Sequence, residues 1–242
     1  MTTLARLQRL QRTGMIGMAV RGAIGAQVSR LGEVIGSEGL VYNAWTFDMF
    51  YRLAVETAPA IAAAMLARYP HLRTVVDLGA GTGAHVAELE RHGVDCRGYE
   101  YSARARQVGA ERLGVTILPF DLTAPEPWDG KRYDLAMSLE VAEHLPPELG
   151  LRLVETCVNS APVVLFSAAP PGQGGQGHIN EQPKAYWLER FARHGYRLNE
   201  DATAALVEQL RRELIRGLHI ARNVMLIEAA GDAVDERPSR MN

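Results

Sequence analysis

Strands alternating with helices predict a doubly wound α/β sandwich, with a mostly parallel sheet, helices on both faces and an N-terminal helical cap. Three observations carry this expectation. From Arg73 onward, apolar and β-branched runs at 73–78, 95–100, 115–118, 133–139, 162–168 and 223–229 read as strands, with a weaker short one near Tyr196 to Asn199. Helical stretches lie between most of them, at 84–92, 102–112, 147–159, 184–194 and 202–216. The first strand also runs directly into three alternating glycines, Gly79, Gly81 and Gly83, and then into a helix. At 242 residues and 47% apolar, the chain has room for one domain with a large core and an addition. The division expected is residues 1–70 as arm and cap, and 71–242 as the sheet domain.

The arm, residues 1 to about 36, has no acidic residue before Glu33 but carries Arg6, Arg9, Arg12, Arg21 and Arg30. That pattern resembles an organellar transit peptide, and equally an amphipathic helix with Leu4, Leu7 and Leu10 on one side. The helix is the preferred reading. Its role is then a lid, a homodimer contact or a membrane-surface contact. Next, residues 42–51 hold five aromatics; of these Tyr42, Trp45, Phe47 and Tyr51 are candidates for a wall of a substrate pocket. The competing reading is a helix packing its aromatic face on the core. That helix runs on through Ala54 to Arg68 and stops before Pro70.

A net charge of −2 gives no bulk attraction to nucleic acid, which argues against DNA and RNA as partners. Two lysines against twenty-four arginines point to codon bias rather than phosphate binding. Cys96 and Cys157 have no CxxC or framework spacing and read as reduced, buried thiols of a cytoplasmic protein. No uninterrupted apolar run is long enough for a transmembrane segment; Met15 to Val28 is broken by Arg21 and glycines.

The strand, glycine turn and helix of Asp77-Leu78-Gly79-Ala80-Gly81-Thr82-Gly83 form a nucleotide-type site, with free N–H groups expected to point at the ligand. Gly79, Gly81 and Ala84 also fit the dinucleotide fingerprint. Glu100, seventeen positions after Gly83 at the tip of the second strand, can accept both ribose hydroxyls of an adenosine, which suits NAD and S-adenosylmethionine alike. Asp121, after the third strand, can accept from the adenine amine, with Phe120 or Leu122 on the ring.

The fourth strand, Tyr133-Asp134-Leu135-Ala136-Met137-Ser138-Leu139-Glu140-Val141-Ala142-Glu143-His144, separates these options. Together with the glycine motif it resembles the class I S-adenosylmethionine-dependent methyltransferases, over roughly residues 73 to 230, a Rossmann-like fold. The resemblance implies S-adenosylmethionine as cofactor, its methionine end over Gly79, Ala80, Gly81 and Gly83 beside Asp77. It implies ribose on Glu100 next to Tyr101, adenine beside Asp121 and Leu122, and Leu139 and Glu140 bordering the donor. The sulfonium is already a strong electrophile, so the protein need only align the acceptor and remove a proton.

Glu140, Glu143 and His144, spaced i, i+3 and i+4, would share one face if a helix began at Glu140. With His178 from the loop Gly177-His178-Ile179-Asn180 they could hold magnesium, manganese or zinc. That set is similar to those of metal-dependent small-RNA ribose methyltransferases and ubiquinone-pathway O-methyltransferases. The preferred reading has no metal, with His144 or His178 as general base. His71, His85, His92, His194 and His219 read as structural. The expected activity is methyl transfer to a hydroxyl, amine or activated carbon of a small molecule, with secondary metabolism suggested by analogy alone. The alternatives are an RNA or quinone-type methyltransferase and a non-catalytic donor-binding partner subunit.

Overall fold

The computed structural model describes Gln27 and residues 44–125 and 127–230. They fall into two compact units, and each is taken by itself: residues 44–52 with 175–177, and residues 53–174 with 178–230. Helix α1, Ala44–Arg68, belongs to both. Its stretch Thr46–Arg68 has a mean hydropathy of 1.2 and is long and apolar enough to cross a membrane by length and composition. Ile61, Ala62, Ala64 and Met65 of that stretch are buried in the core of the larger unit.

The larger unit carries one seven-stranded sheet in the order β3-β2-β1-β4-β5-β7-β6. In chain order the elements are β1 (Thr74–Leu78), α2 (Ala84–Arg91), β2 (Asp95–Glu100), α3 (Ala103–Leu113), β3 (Ile117–Pro119), β4 (Leu135–Leu139), a 3-10 turn (Ala142–His144) and α4 (Pro147–Ser160). They continue with β5 (Val163–Ser167), α5 (Lys184–Ala192), β6 (Tyr196–Leu198), α6 (Glu200–Glu213), α7 (Leu218–Asn223) and β7 (Met225–Ala229). The expected fold class and nearly all expected elements are present. Helix α7 is an addition: α6 ends at Glu213 with Leu214 as its C-cap, and Gly217, at φ 73, starts a six-residue helix too short for periodicity to reveal.

Each central strand is buried on both faces, which is why it reads as a continuous apolar run. Alternate residues feed opposite cores. Val75, Leu135, Met137, Leu165 and Leu226 pack with α1, α2, α6 and α7. Val76, Ala136, Val164, Phe166 and Ile227 pack with α4 and α5, around Trp187 and Phe191.

Two topological facts position the site. Strands β1 and β4 are neighbours although β2 and β3 lie between them in sequence, so the winding reverses there and a crevice opens beyond their carboxyl ends. Strand β7 is antiparallel to both neighbours, and its first residue, Met225, pairs with Phe166 near the end of β5. The helix that precedes it, α7, is therefore delivered to that same carboxyl edge.

Candidate active site

The glycine turn is shaped by two different demands. A Cβ on Gly79 would lie 2.5 Å from Val141 Cγ2, so the turn packs directly against the residue after Glu140. A Cβ on Gly81 would meet nothing within 4 Å, and here backbone at φ 55 faces open space. That open cradle is where a ligand can reach the main chain.

The expectation that the turn's N–H groups are free is corrected by the structure. Gly79 and Ala80 both donate to Tyr99 O at 2.8 Å, and Gly83 donates to Ala80 O at 2.8 Å. Gly81 N donates to Glu100 Oε2 at 2.9 Å. These four donors are committed within the fold. The physical reason is Tyr99 and Glu100 themselves: paired beside β1, they present a carbonyl and a carboxylate to the turn.

Glu100 is fixed from both sides, with Oε1 accepting from Ser102 N at 2.7 Å and Oε2 from Gly81 N. Each oxygen keeps a lone pair for a ribose hydroxyl. Burial pushes its pKa up, opposed by the Ser102 and Gly81 N–H groups and by Arg106. Arg106 in turn donates to the carbonyls of Glu100 and Tyr101. Tyr101 is 72% exposed at the rim. Asp121 is exposed and its Oδ1 accepts from Thr123 N and Oγ1. Phe120 and Leu122 are turned into the core, Phe120 against Tyr99, rather than toward an adenine ring. Asp77, buried in β1 with Oδ2 lacking any hydrogen bond, has its pKa raised to about 7 by burial and by Glu100.

Beyond β4 the four candidate ligands do not stay together. Glu140 has φ 55, the one positive value among the described non-glycine residues. Its N–H donates to Ser167 O and Oγ, both at 3.0 Å, and holds it there. Conformations of this kind cost about 1–3 kcal/mol and collect at functional sites. A 3-10 turn rather than an α-helix follows, so the shared face expected of Glu140 and Glu143 does not form. The Glu140 carboxylate accepts from Asn223 Nδ2 at 3.1 and 3.2 Å and from Gln173 Nε2 at 3.4 Å, with His219 Nε2 at 3.9 Å.

Glu143, His144 and His178 do converge: ligand atoms from all three lie within 4.8 Å of one another. The two imidazoles meet edge to face at 4.8 Å between centroids. Glu143 is fully buried, and neither carboxylate oxygen has a hydrogen-bond partner of normal geometry. Burial, and then the charge of Glu140, raise its pKa to about 8. His178 is brought in because Ile179 and Asn180 both donate to Glu143 O, at 2.9 and 3.0 Å.

Sequence reasoning missed Asn223, Gln173 and His219, which had no motif to mark them; the antiparallel β7 delivers two of the three. Of the aromatic candidates, Tyr42 and the Trp45 side chain lie outside the described residues, while Phe47 is buried and Tyr51 half-buried in the smaller unit.

Comparison with known proteins identifies the fold. A family model described as a methyltransferase domain matches residues 45–210. The fold is similar to that of the sugar N-methyltransferase KedS8 from Streptoalloteichus sp ATCC 53650, with TM-score 0.55 and 18% identity, covering 76% of this chain and 92% of that one. It is similar to DesVI of Streptomyces venezuelae, with TM-score 0.57 and 16% identity over 76% and 97% of the two chains. It also resembles the magnesium protoporphyrin IX methyltransferase ChlM of Synechocystis PCC 6803 with bound S-adenosylhomocysteine, at TM-score 0.53 and 16% identity over 94% of each. No curated protein matches the sequence. Because that family model spans well over half of the sequence, the chain belongs to the methyltransferase domain family and is a class I S-adenosylmethionine-dependent methyltransferase.

Proposed function

We propose that this methyltransferase acts on a small-molecule acceptor, at a hydroxyl, amine or activated carbon, with His178 or His144 removing the acceptor's proton. The observation that carries the reading is the edge-to-face imidazole pair at the carboxyl end of β4, on the same edge as the Gly81 cradle and Glu100. The cofactor, when bound, supplies an electrophilic methyl group. Asp77, Gly79 to Gly83 and Glu100 would hold it, with Tyr101 and Asp121 at the adenine end and Leu139 and Glu140 along its side. What remains for the chain is alignment and proton removal, and a positioned imidazole contributes about 10²–10⁴-fold to such a step. The near-neutral charge of the chain supports a small acceptor over nucleic acid.

A second reading is favoured by one observation, the two orphaned oxygens of buried Glu143 beside two imidazoles. A carboxylate and two neutral imidazoles make a donor set that suits magnesium, manganese or zinc. Such an ion would be held by Glu143, His144 and His178 and would lower the pKa of an acceptor hydroxyl bound to it.

One experiment separates the two. Purified protein and S-adenosylmethionine are screened against pooled hydroxyl- and amine-bearing small molecules, with S-adenosylhomocysteine formation as readout, with and without excess EDTA. Full activity in EDTA, with no metal by elemental analysis, removes the ion. Full activity of both His144→Ala and His178→Ala removes the base. If no small molecule turns over while an RNA does, the acceptor class is wrong.

A further inference from the structure

His178 is more than a loop histidine that happens to face His144. Its backbone is fixed on one side, because Ile179 and Asn180 donate to Glu143 O and the Asn180 side chain donates to Ala142 O at 3.3 Å. Its ring is fixed on the other, by Glu181, three residues on. A single carboxylate there gathers three donors: Oε1 accepts from His178 Nδ1 at 2.9 Å and Gly174 N at 2.7 Å, and Oε2 accepts from Gly172 N at 2.8 Å. Both partners of the imidazole–carboxylate pair are shielded, with side chains 11% and 19% exposed.

We propose that Glu181 is the positioning residue of this site: it holds His178 as the Nδ1–H tautomer, leaving Nε2 as the basic nitrogen, and clasps the Gly172–Gly174 loop in the same interaction. The proposal rests on the reading of His178 as base or ligand. The donor–acceptor logic is forced by geometry: each Glu181 oxygen already accepts from a backbone N–H, Gly174 N on Oε1 and Gly172 N on Oε2, so the carboxylate is the acceptor. The imidazole must therefore donate from Nδ1, and the lone pair on Nε2 is what remains for chemistry. The loop is coupled to the tautomer because Oε1 serves both His178 Nδ1 and Gly174 N; opening the glycines loosens the carboxylate that holds the imidazole.

The test uses the full chain, uniformly labelled with ¹⁵N, at a pH where His178 is neutral. Long-range ¹H–¹⁵N correlation should show His178 as Nδ1–H in the wild type. Glu181→Ala should turn it into a mixture richer in Nε2–H and speed amide exchange at Gly172 and Gly174 by about 10-fold or more. Affinity for S-adenosylhomocysteine should change less than about twofold, because the donor cradle is untouched. Glu181→Gln, which keeps size but leaves one acceptor oxygen for three donors, should lose at least one of these signatures if the alanine variant does not fold. A wild-type His178 in the Nε2–H form would overturn the proposal without any variant. So would an unchanged tautomer and unchanged glycine protection in folded Glu181→Ala. Full turnover of His178→Ala would sink the reading of His178 itself, and leaves the tautomer result standing, so the two failures are told apart.

Discussion

Asp77 should make this protein less stable as pH rises. Its carboxyl sits in the middle of the sheet, in register with Gly98 of β2 and Met137 of β4, with Oδ2 unpartnered. Burial, and then Glu100, raise its pKa from 3.8 to about 7. The sign follows from proton counting. In the unfolded chain Asp77 releases its proton near pH 4, and in the folded chain only near 7, so between these values the folded state binds more protons. Stability therefore falls as pH rises through that window and levels off above about 7. At about 1.36 kcal/mol per pKa unit, the ionisation penalty amounts to roughly 1.7 kcal/mol at pH 5 and roughly 4 at pH 8, a growth of about 2.5 kcal/mol. Asp77→Asn removes the titration and keeps the shape. Urea unfolding of wild type and Asp77→Asn at pH 5 and pH 8 should show the wild type losing about 2.5 kcal/mol relative to the variant between the two. A difference between the proteins that stays constant within about 0.5 kcal/mol across this range would mean that Asp77 does not titrate there, and the argument from its burial would be refuted.

Two further variants test the donor cradle. Glu100→Ala should weaken S-adenosylhomocysteine binding by about 1.5–3 kcal/mol, the range for hydrogen bonds to a charged group, and unchanged calorimetric affinity would remove Glu100 from the site. Gly79→Ala would put a methyl group 2.5 Å from Val141 at φ 87. It should cost about 2–4 kcal/mol of stability, from backbone strain and overpacking together, and a loss under about 0.5 kcal/mol by urea unfolding would show that Val141 moves aside freely.

How far the sequence speaks depends on whether a feature is local. The strands are legible because burial on both faces writes a continuous apolar run, and β1, β4 and β5 are read almost to the residue. The glycine turn is legible as a turn, yet its hydrogen bonding is not: whether an N–H is free depends on Tyr99 O and Glu100, which arrive from the next strand. The same holds for Phe120 and Leu122, whose apolar character announces a contact but not which one. Spacing brought His144 forward and the glycine-rich loop after the fifth strand brought His178, and packing between the two segments is what makes them neighbours.

Glu140 is where local reasoning fails for a definite cause. An i, i+3 pair shares a face only in a regular helix. Ser167, at the end of β5, accepts the Glu140 N–H twice and holds φ at 55, so the chain turns before any helix can begin and the two glutamates part. Glu143 goes under the 3-10 turn to His144 and His178; Glu140 goes to Asn223 and Gln173. Asn223 stands there only because β7 runs antiparallel and must start at the carboxyl edge of the sheet. A strand direction, fixed far along the chain, thus decides what partner Glu140 meets once it has turned away. The four-ligand set suggested by spacing reduces to three, and Glu140 becomes a carboxylate held by neutral amides at the edge of the donor cradle, next to the valine that packs on Gly79.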